Sequence, residues 1–73
     1  MKVKTNRFLN EALTDKLVEM IKSSIVCYAT IKEIEFTTTG FANVIVGVNG
    51  ESYEISYEYN INKVEYLTTR IIK

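Results

Sequence analysis

The chain has 73 residues, with nine basic and nine acidic side chains, and therefore carries no net charge at pH 7. This length predicts one small domain over residues 1–73, near the lower limit at which a single core suffices. An apolar content of 47% and a charged content of 25% are typical of a folded protein rather than a disordered one. No apolar run approaches the roughly 20 residues of a membrane span, so we expect a soluble, cytoplasmic protein that does not associate with membranes.

Residues with catalytic or metal-binding chemistry are scarce. The single cysteine, Cys27, cannot form an internal disulfide, which fits a reducing compartment, and we expect it to be a small buried hydrophobe. Histidine, the commonest general base and metal ligand, is absent. The serines therefore have no partner that would activate them as nucleophiles. The sequence predicts a non-catalytic protein without cofactor or metal.

The first third of the chain has the periodicity of an amphipathic helix. Apolar residues recur at steps of three and four from Leu9 to Ile25, which predicts one helix of roughly 16 to 18 residues. Thr5 or Asn6 is the expected N-cap, because both side chains can accept a hydrogen bond from the first helical turn.

Three strands in antiparallel meander order are predicted to follow. The first covers Thr30 to Thr37 and turns at Gly40, and the next two are joined at Asn49-Gly50, the dipeptide most typical of a two-residue type I′ turn. Pairing through both turns sorts the side chains onto an apolar and a polar face. The apolar face, which we expect the helix to cover, comprises Ile34, Phe36, Ala42, Val44, Val46, Tyr53, Ile55, Tyr57 and Tyr59.

The last twelve residues allow two interpretations. Asn62 as N-cap, Glu65 three residues later and an Ile61–Tyr66 staple indicate a short helix, whereas the threonines and β-branched residues from Val64 to Ile72 suit a fourth strand. The helix is preferred. The expected fold is then α+β in the order αβββα, a three-stranded or possibly four-stranded meander with both helices on one face.

Charge is unevenly placed along the chain. Between Glu33 and Asn62 there are five acidic side chains and no lysine or arginine. The predicted register brings most of these acids to the polar face, where they form either a solvated surface or a docking surface with apolar anchors. The candidate partner-binding residues on this face are Glu33, Glu35, Phe41, Asn43, Ile45, Glu54 and Glu58.

The preferred function is a small inhibitor or adaptor, of the kind encoded by phages and mobile elements, that binds a basic surface of a larger protein. Nucleic-acid binding through the basic termini is the first alternative, although the pI of about 6.2 argues against it; those residues are Lys2, Lys4, Arg7, Lys63, Arg70 and Lys73. The second alternative is a homo-oligomer, such as a dimer through the sheet edge formed by Ser52 to Tyr59, which has no proline or lysine to discourage pairing.

Overall fold

The computed structural model describes residues 1–72, and over that range it contains one α-helix and five β-strands. All strands belong to one mixed sheet in the order β1-β2-β3-β4-β5, in which β1 runs parallel to β2 and every other neighbouring pair is antiparallel. The small α+β class is therefore confirmed, and the sheet is larger than predicted. The elements are β1 (Lys2–Lys4), α1 (Glu11–Ser24), β2 (Thr30–Phe36), β3 (Phe41–Val48), β4 (Glu51–Tyr59) and β5 (Val64–Ile72).

The central hairpin has the predicted register. Asn49 and Gly50 both have positive φ, at 51° and 81°, as a type I′ turn requires. Val44 consequently pairs with Ile55 across β3 and β4. The turn at Gly40, whose φ is 84°, sets β2 against β3 in the predicted register as well.

The core lies between α1 and one face of the sheet, which we call the inner face. Leu17, Val18 and Ile21 of the helix pack on buried residues of β2, β3 and β4. Full burial of each such side chain contributes about 1.5–3 kcal/mol, so this layer holds the helix on the sheet. The sheet residues of the core are Ile34, Phe36, Ala42, Val44, Val46 and Tyr57.

The helix begins later than predicted, and its predicted cap is wrong. Its N-cap is Asn10, whose side-chain oxygen accepts a hydrogen bond from the Leu13 amide at 2.7 Å. Asn6 instead donates from Nδ2 to the Thr37 carbonyl at 2.8 Å and to Tyr59 Oη at 3.3 Å. It therefore fastens the segment before the helix to the sheet. The helix is 14 residues long.

A C-terminal helix is wrong as well, because this segment forms β5. Its backbone pairs with the edge of β4 from Ser52 to Tyr59, which would otherwise leave a row of hydrogen-bonding groups unpaired. The expected cap at Asn62 is replaced by a turn in which Asn60 Oδ1 accepts from the amides of Asn62 and Lys63, at 2.8 and 3.0 Å.

Two further expectations need correction. Three residues at the start of the chain form β1, which pairs with β2 and was not predicted, since a segment of three residues is too short for its alternation to identify a strand. Cys27 is exposed rather than buried, because it lies in the connection between α1 and β2, outside the core. Within residues 1–72, no helix has the length and apolar character needed to cross a bilayer.

Candidate interaction surface

The strands alone form the face opposite α1, which we call the outer face. Strand alternation sends every second side chain there, and the observed pairings group the seven candidate residues on it, as the register predicts. Those residues are Glu33, Glu35, Phe41, Asn43, Ile45, Glu54 and Glu58. Their placement follows from the turns at Gly40 and Asn49-Gly50.

A row of five paired residues crosses the middle of the outer face. In strand order it reads Lys2, Glu33, Ile45, Glu54 and Arg70. The guanidinium of Arg70 donates from Nε to Glu54 Oε1 at 2.7 Å. Ile45, which is half-buried, therefore lies between two carboxylates that each have a basic residue beyond them.

Basic side chains reach the outer face from both edges of the sheet. Lys4 of β1 lies 3.7 Å from Glu33. A bulge in β2 between Ile31 and Glu33 allows Lys32 to donate from Nζ to Ser52 Oγ at 3.0 Å. The outer face is thus mixed in charge rather than uniformly acidic. Sequence reasoning missed this because β1 and β5 were not recognised as its neighbours.

Two acidic side chains at one end of the outer face form no ion pair within residues 1–72, although Lys4 is the strand partner of one of them, Glu35. Glu35 lies opposite Asn43, and Glu58 lies opposite Phe41; we call these four residues the acidic end. No cation of residues 1–72 lies within 4.0 Å of either carboxylate. Glu58 also faces a further acid, Glu65 of β5. Phe41, with 40% of its surface exposed, places an aromatic ring among these charges.

In the described structure, the basic residues of the two termini do not form one cluster. Those of β1 lie at one edge of the sheet, whereas Lys63 and Arg70 lie at the opposite edge. Arg7 stacks its guanidinium 5.2 Å from the ring centroid of Phe8. Lys73, the remaining member of the predicted basic end, lies outside the described residues.

The inner face carries an apolar groove that was not predicted from the sequence. Because α1 covers only part of the sheet, a groove of about 360 Å³ remains beside the α1–β2 connection. Its rim is exposed at Val26 (52%), Tyr28 (72%) and Tyr66 (58%). Tyr57 bounds the groove from below and contacts the Tyr66 ring edge to face, with centroids 6.2 Å apart. Tyr28 and Tyr66 are thus largely exposed.

The Tyr53 phenol is an ionisable group whose pKa is shifted. Tyr53 Oη donates to Glu51 Oε2 at 2.8 Å, and this hydrogen bond, together with the nearby negative charge, raises the pKa of the Tyr53 phenol. Among residues 1–72, no three cysteine, aspartate or glutamate side chains come together in a way that could hold a metal ion.

Comparison with known proteins identified no matching family model, curated protein or solved structure.

Proposed function

We propose that this protein is a small, non-catalytic interaction domain that acts as an inhibitor or adaptor by docking its outer face on a basic surface of a larger protein. The observation that carries this proposal is the acidic end. There, the carboxylates of Glu35 and Glu58 have no cation of residues 1–72 within 4.0 Å, and both residues lie near the exposed side chain of Phe41.

Uncompensated carboxylates favour a basic partner in two ways. They attract it over several ångströms and so raise the association rate, and they repel polyanions. The neighbouring pairs Lys4–Glu33 and Arg70–Glu54 are already satisfied within the domain, so they leave the acidic end as the strongest unneutralised charge on this face.

Apolar side chains supply the second half of the proposed contact. Phe41 projects at the acidic end and Ile45 lies four residues further along β3, on the same face. An apolar anchor surrounded by charged residues is the usual anatomy of a protein–protein contact, because the anchor supplies affinity while the rim supplies orientation.

Nucleic-acid binding is less well supported. Its candidate residues are divided between two edges of the sheet, and Lys4, Lys63 and Arg70 each lie within 4.0 Å of a glutamate. A polyanion would have to displace these pairs and approach the acidic end, and both steps are unfavourable.

The experiment that tests the proposal is quantitative affinity capture with a matched pair of double variants. Glu35→Gln with Glu58→Gln removes two charges from the acidic end, and Glu11→Gln with Glu19→Gln removes the same two charges from the exposed side of α1. We expect proteins retained by the wild type at low salt to be lost with the first variant and kept with the second. Purified protein from the retained set should then bind with a reduced on-rate only for the first variant.

Phe41→Ala completes the design, since it removes the proposed anchor and leaves every charge. We expect it to raise the off-rate of the same partner. If both double variants retain the same proteins with the same kinetics and salt dependence, the acidic end is a solvated surface and the proposal is wrong.

A further inference from the structure

The two edges of the sheet differ in how they are protected against pairing. β1 is three residues long and carries Lys2 and Lys4, and short, lysine-bearing strands are a common way to block an edge. β5 is nine residues long and exposed along most of its length. It has no lysine or proline between Val64 and Ile72. The β5 edge is therefore the open edge of the molecule.

A bulge decides how the side chains of β5 are distributed. Tyr66 pairs with Tyr57 and Thr68 pairs with Ser56, so Leu67 is an extra residue in the strand. The extra residue shifts the alternation between the two halves of β5. As a result, Glu65 and Arg70, which regular alternation would put on opposite faces, both lie on the outer face, opposite Glu58 and Glu54.

The same shift places two matching pairs on the inner face. Val64 and Tyr66 come before the bulge, and Thr69 and Ile71 follow it; their partners in β4 are Tyr59, Tyr57, Ile55 and Tyr53, all of which are inner-face residues. About a point midway between Leu67 and Thr68, β5 is therefore self-complementary. A two-fold rotation there brings Glu65 opposite Arg70 and Val64 opposite Ile71, and it brings Tyr66 opposite Thr69.

We propose that β5 pairs with β5 of a second copy, antiparallel, about a two-fold axis between Leu67 and Thr68. In this register Glu65 of each copy lies opposite Arg70 of the other, Val64 lies opposite Ile71, and Tyr66 lies opposite Thr69. Opposed residues of antiparallel strands share a face, and every one of these pairs meets that requirement because of the bulge. The contact is isologous and closes with two copies.

Charge selects this register against others further along the strand. An axis centred on Glu65 would oppose two glutamates, and one centred on Arg70 would oppose two arginines; either arrangement is destabilising. Only the axis at the bulge forms two Glu65–Arg70 pairs at once, which is why a second copy is the occupant that best fits this edge.

The pairing also brings the apolar groove of one copy next to the groove of the other. Tyr66 and Thr69 line the groove of each copy, so the two grooves meet on the same side of a continuous ten-stranded sheet, between the two helices. Ile71, with 60% of its surface exposed, gains an apolar neighbour in Val64 of the second copy. The exposed apolar rim thus becomes partly covered by association.

Disulfide trapping reads the register directly. In a Cys27→Ser background, we would prepare Val64→Cys and Ile71→Cys as separate proteins. In the proposed dimer their Cα atoms are opposite each other, about 4.5–5.5 Å apart, a separation that a disulfide can span. We expect a cross-linked dimer when the two variants are mixed and mildly oxidised, and none from either variant alone. Equal cross-linking of each variant alone would overturn the register.

Charge reversal tests the same contact without cysteines. Sedimentation equilibrium should show a concentration-dependent dimer for the wild type. Glu65→Arg should weaken it about tenfold or more, and adding Arg70→Glu should restore it, while Asp15→Arg on the helix should change nothing. A wild-type monomer up to millimolar concentration would overturn the proposal and leave the β5 edge for a strand of another protein.

Discussion

At the scale of single residues, the clearest electrostatic feature is the contact between Tyr53 and Glu51 on β4. The phenol donates to the carboxylate at 2.8 Å, and the hydrogen bond, followed by the negative charge of Glu51, raises the phenol pKa above its ordinary value of 10.0. The contact exists only while the phenol holds its proton. It therefore contributes stability below the ordinary pKa, and that contribution is lost as the pH rises through the raised value.

We predict that Glu51→Ala returns the pKa of Tyr53 towards its ordinary value. A tyrosine-selective NMR titration would measure it, with Glu58→Ala on the same strand as the control that leaves Tyr53 unchanged. The wild type should also lose stability relative to Glu51→Ala as the pH rises through the Tyr53 titration and not at neutral pH. An unchanged Tyr53 titration in Glu51→Ala would contradict the assigned cause.

Asparagine shows how far a single residue can be interpreted from sequence. Asn49 was placed correctly because Asn-Gly between two alternating strands has one dominant solution. Asn6 and Asn62 were the asparagine caps expected from sequence, whereas the helix is capped by Asn10; which asparagine acts as a cap depends on what each side chain can reach in the folded chain. Asn6 reaches the Thr37 carbonyl, 31 positions away, and nothing local in the sequence indicates that contact.

At the scale of elements, the position of the helix depends on Asn10. Its side chain accepts from the Leu13 amide, and its backbone carbonyl accepts from both Thr14 Oγ1 and the Thr14 amide. Three hydrogen bonds thus meet at this residue and define where α1 begins.

We predict that Asn10→Ala lowers the free energy of unfolding by about 1 kcal/mol, the usual cost of losing an N-cap. The matched control is Asn62→Ala, which removes the cap expected from sequence at a position where the structure has a turn, and this change should stay within about 0.5 kcal/mol. Urea denaturation of the two variants would measure both. A larger loss at Asn62 than at Asn10 would restore the helical interpretation of the C-terminal segment.

The three central strands were predictable because turn chemistry and alternation agree there. β5 was not, since its bulge at Leu67 breaks the alternation that identifies a strand, and the sequence around Asn62 resembles a capping box. The candidate outer-face residues were grouped correctly because they lie on the three central strands. Their charge balance was missed because Arg70 lies on β5, which was not predicted as a strand.

At the scale of the whole molecule, one small core supports every element. For 73 residues, total stability is expected to be about 4–11 kcal/mol, so any cavity in the core removes a large fraction of it. Ile34 lies at the centre of this core, fully buried and paired with Val3 on one side and Val44 on the other.

We predict that Ile34→Ala lowers the free energy of unfolding by about 2–5 kcal/mol. Ile61→Ala, the same chemical change at a position with 63% of its surface exposed, should stay within about 0.5 kcal/mol. Thermal and denaturant melts of both variants would measure the difference, and equal losses would place the core elsewhere.

The arrangement of the edge strands has a mechanical consequence. Lys2 and Arg70 occupy the same row across the sheet, so they lie at the same height along the strands and at opposite edges. A force that pulls these two residues apart acts across the strands rather than along them. The backbone hydrogen bonds between neighbouring strands would then break one after another instead of all bearing the force at once. We therefore expect this domain to open at low force when its two edge strands are pulled apart.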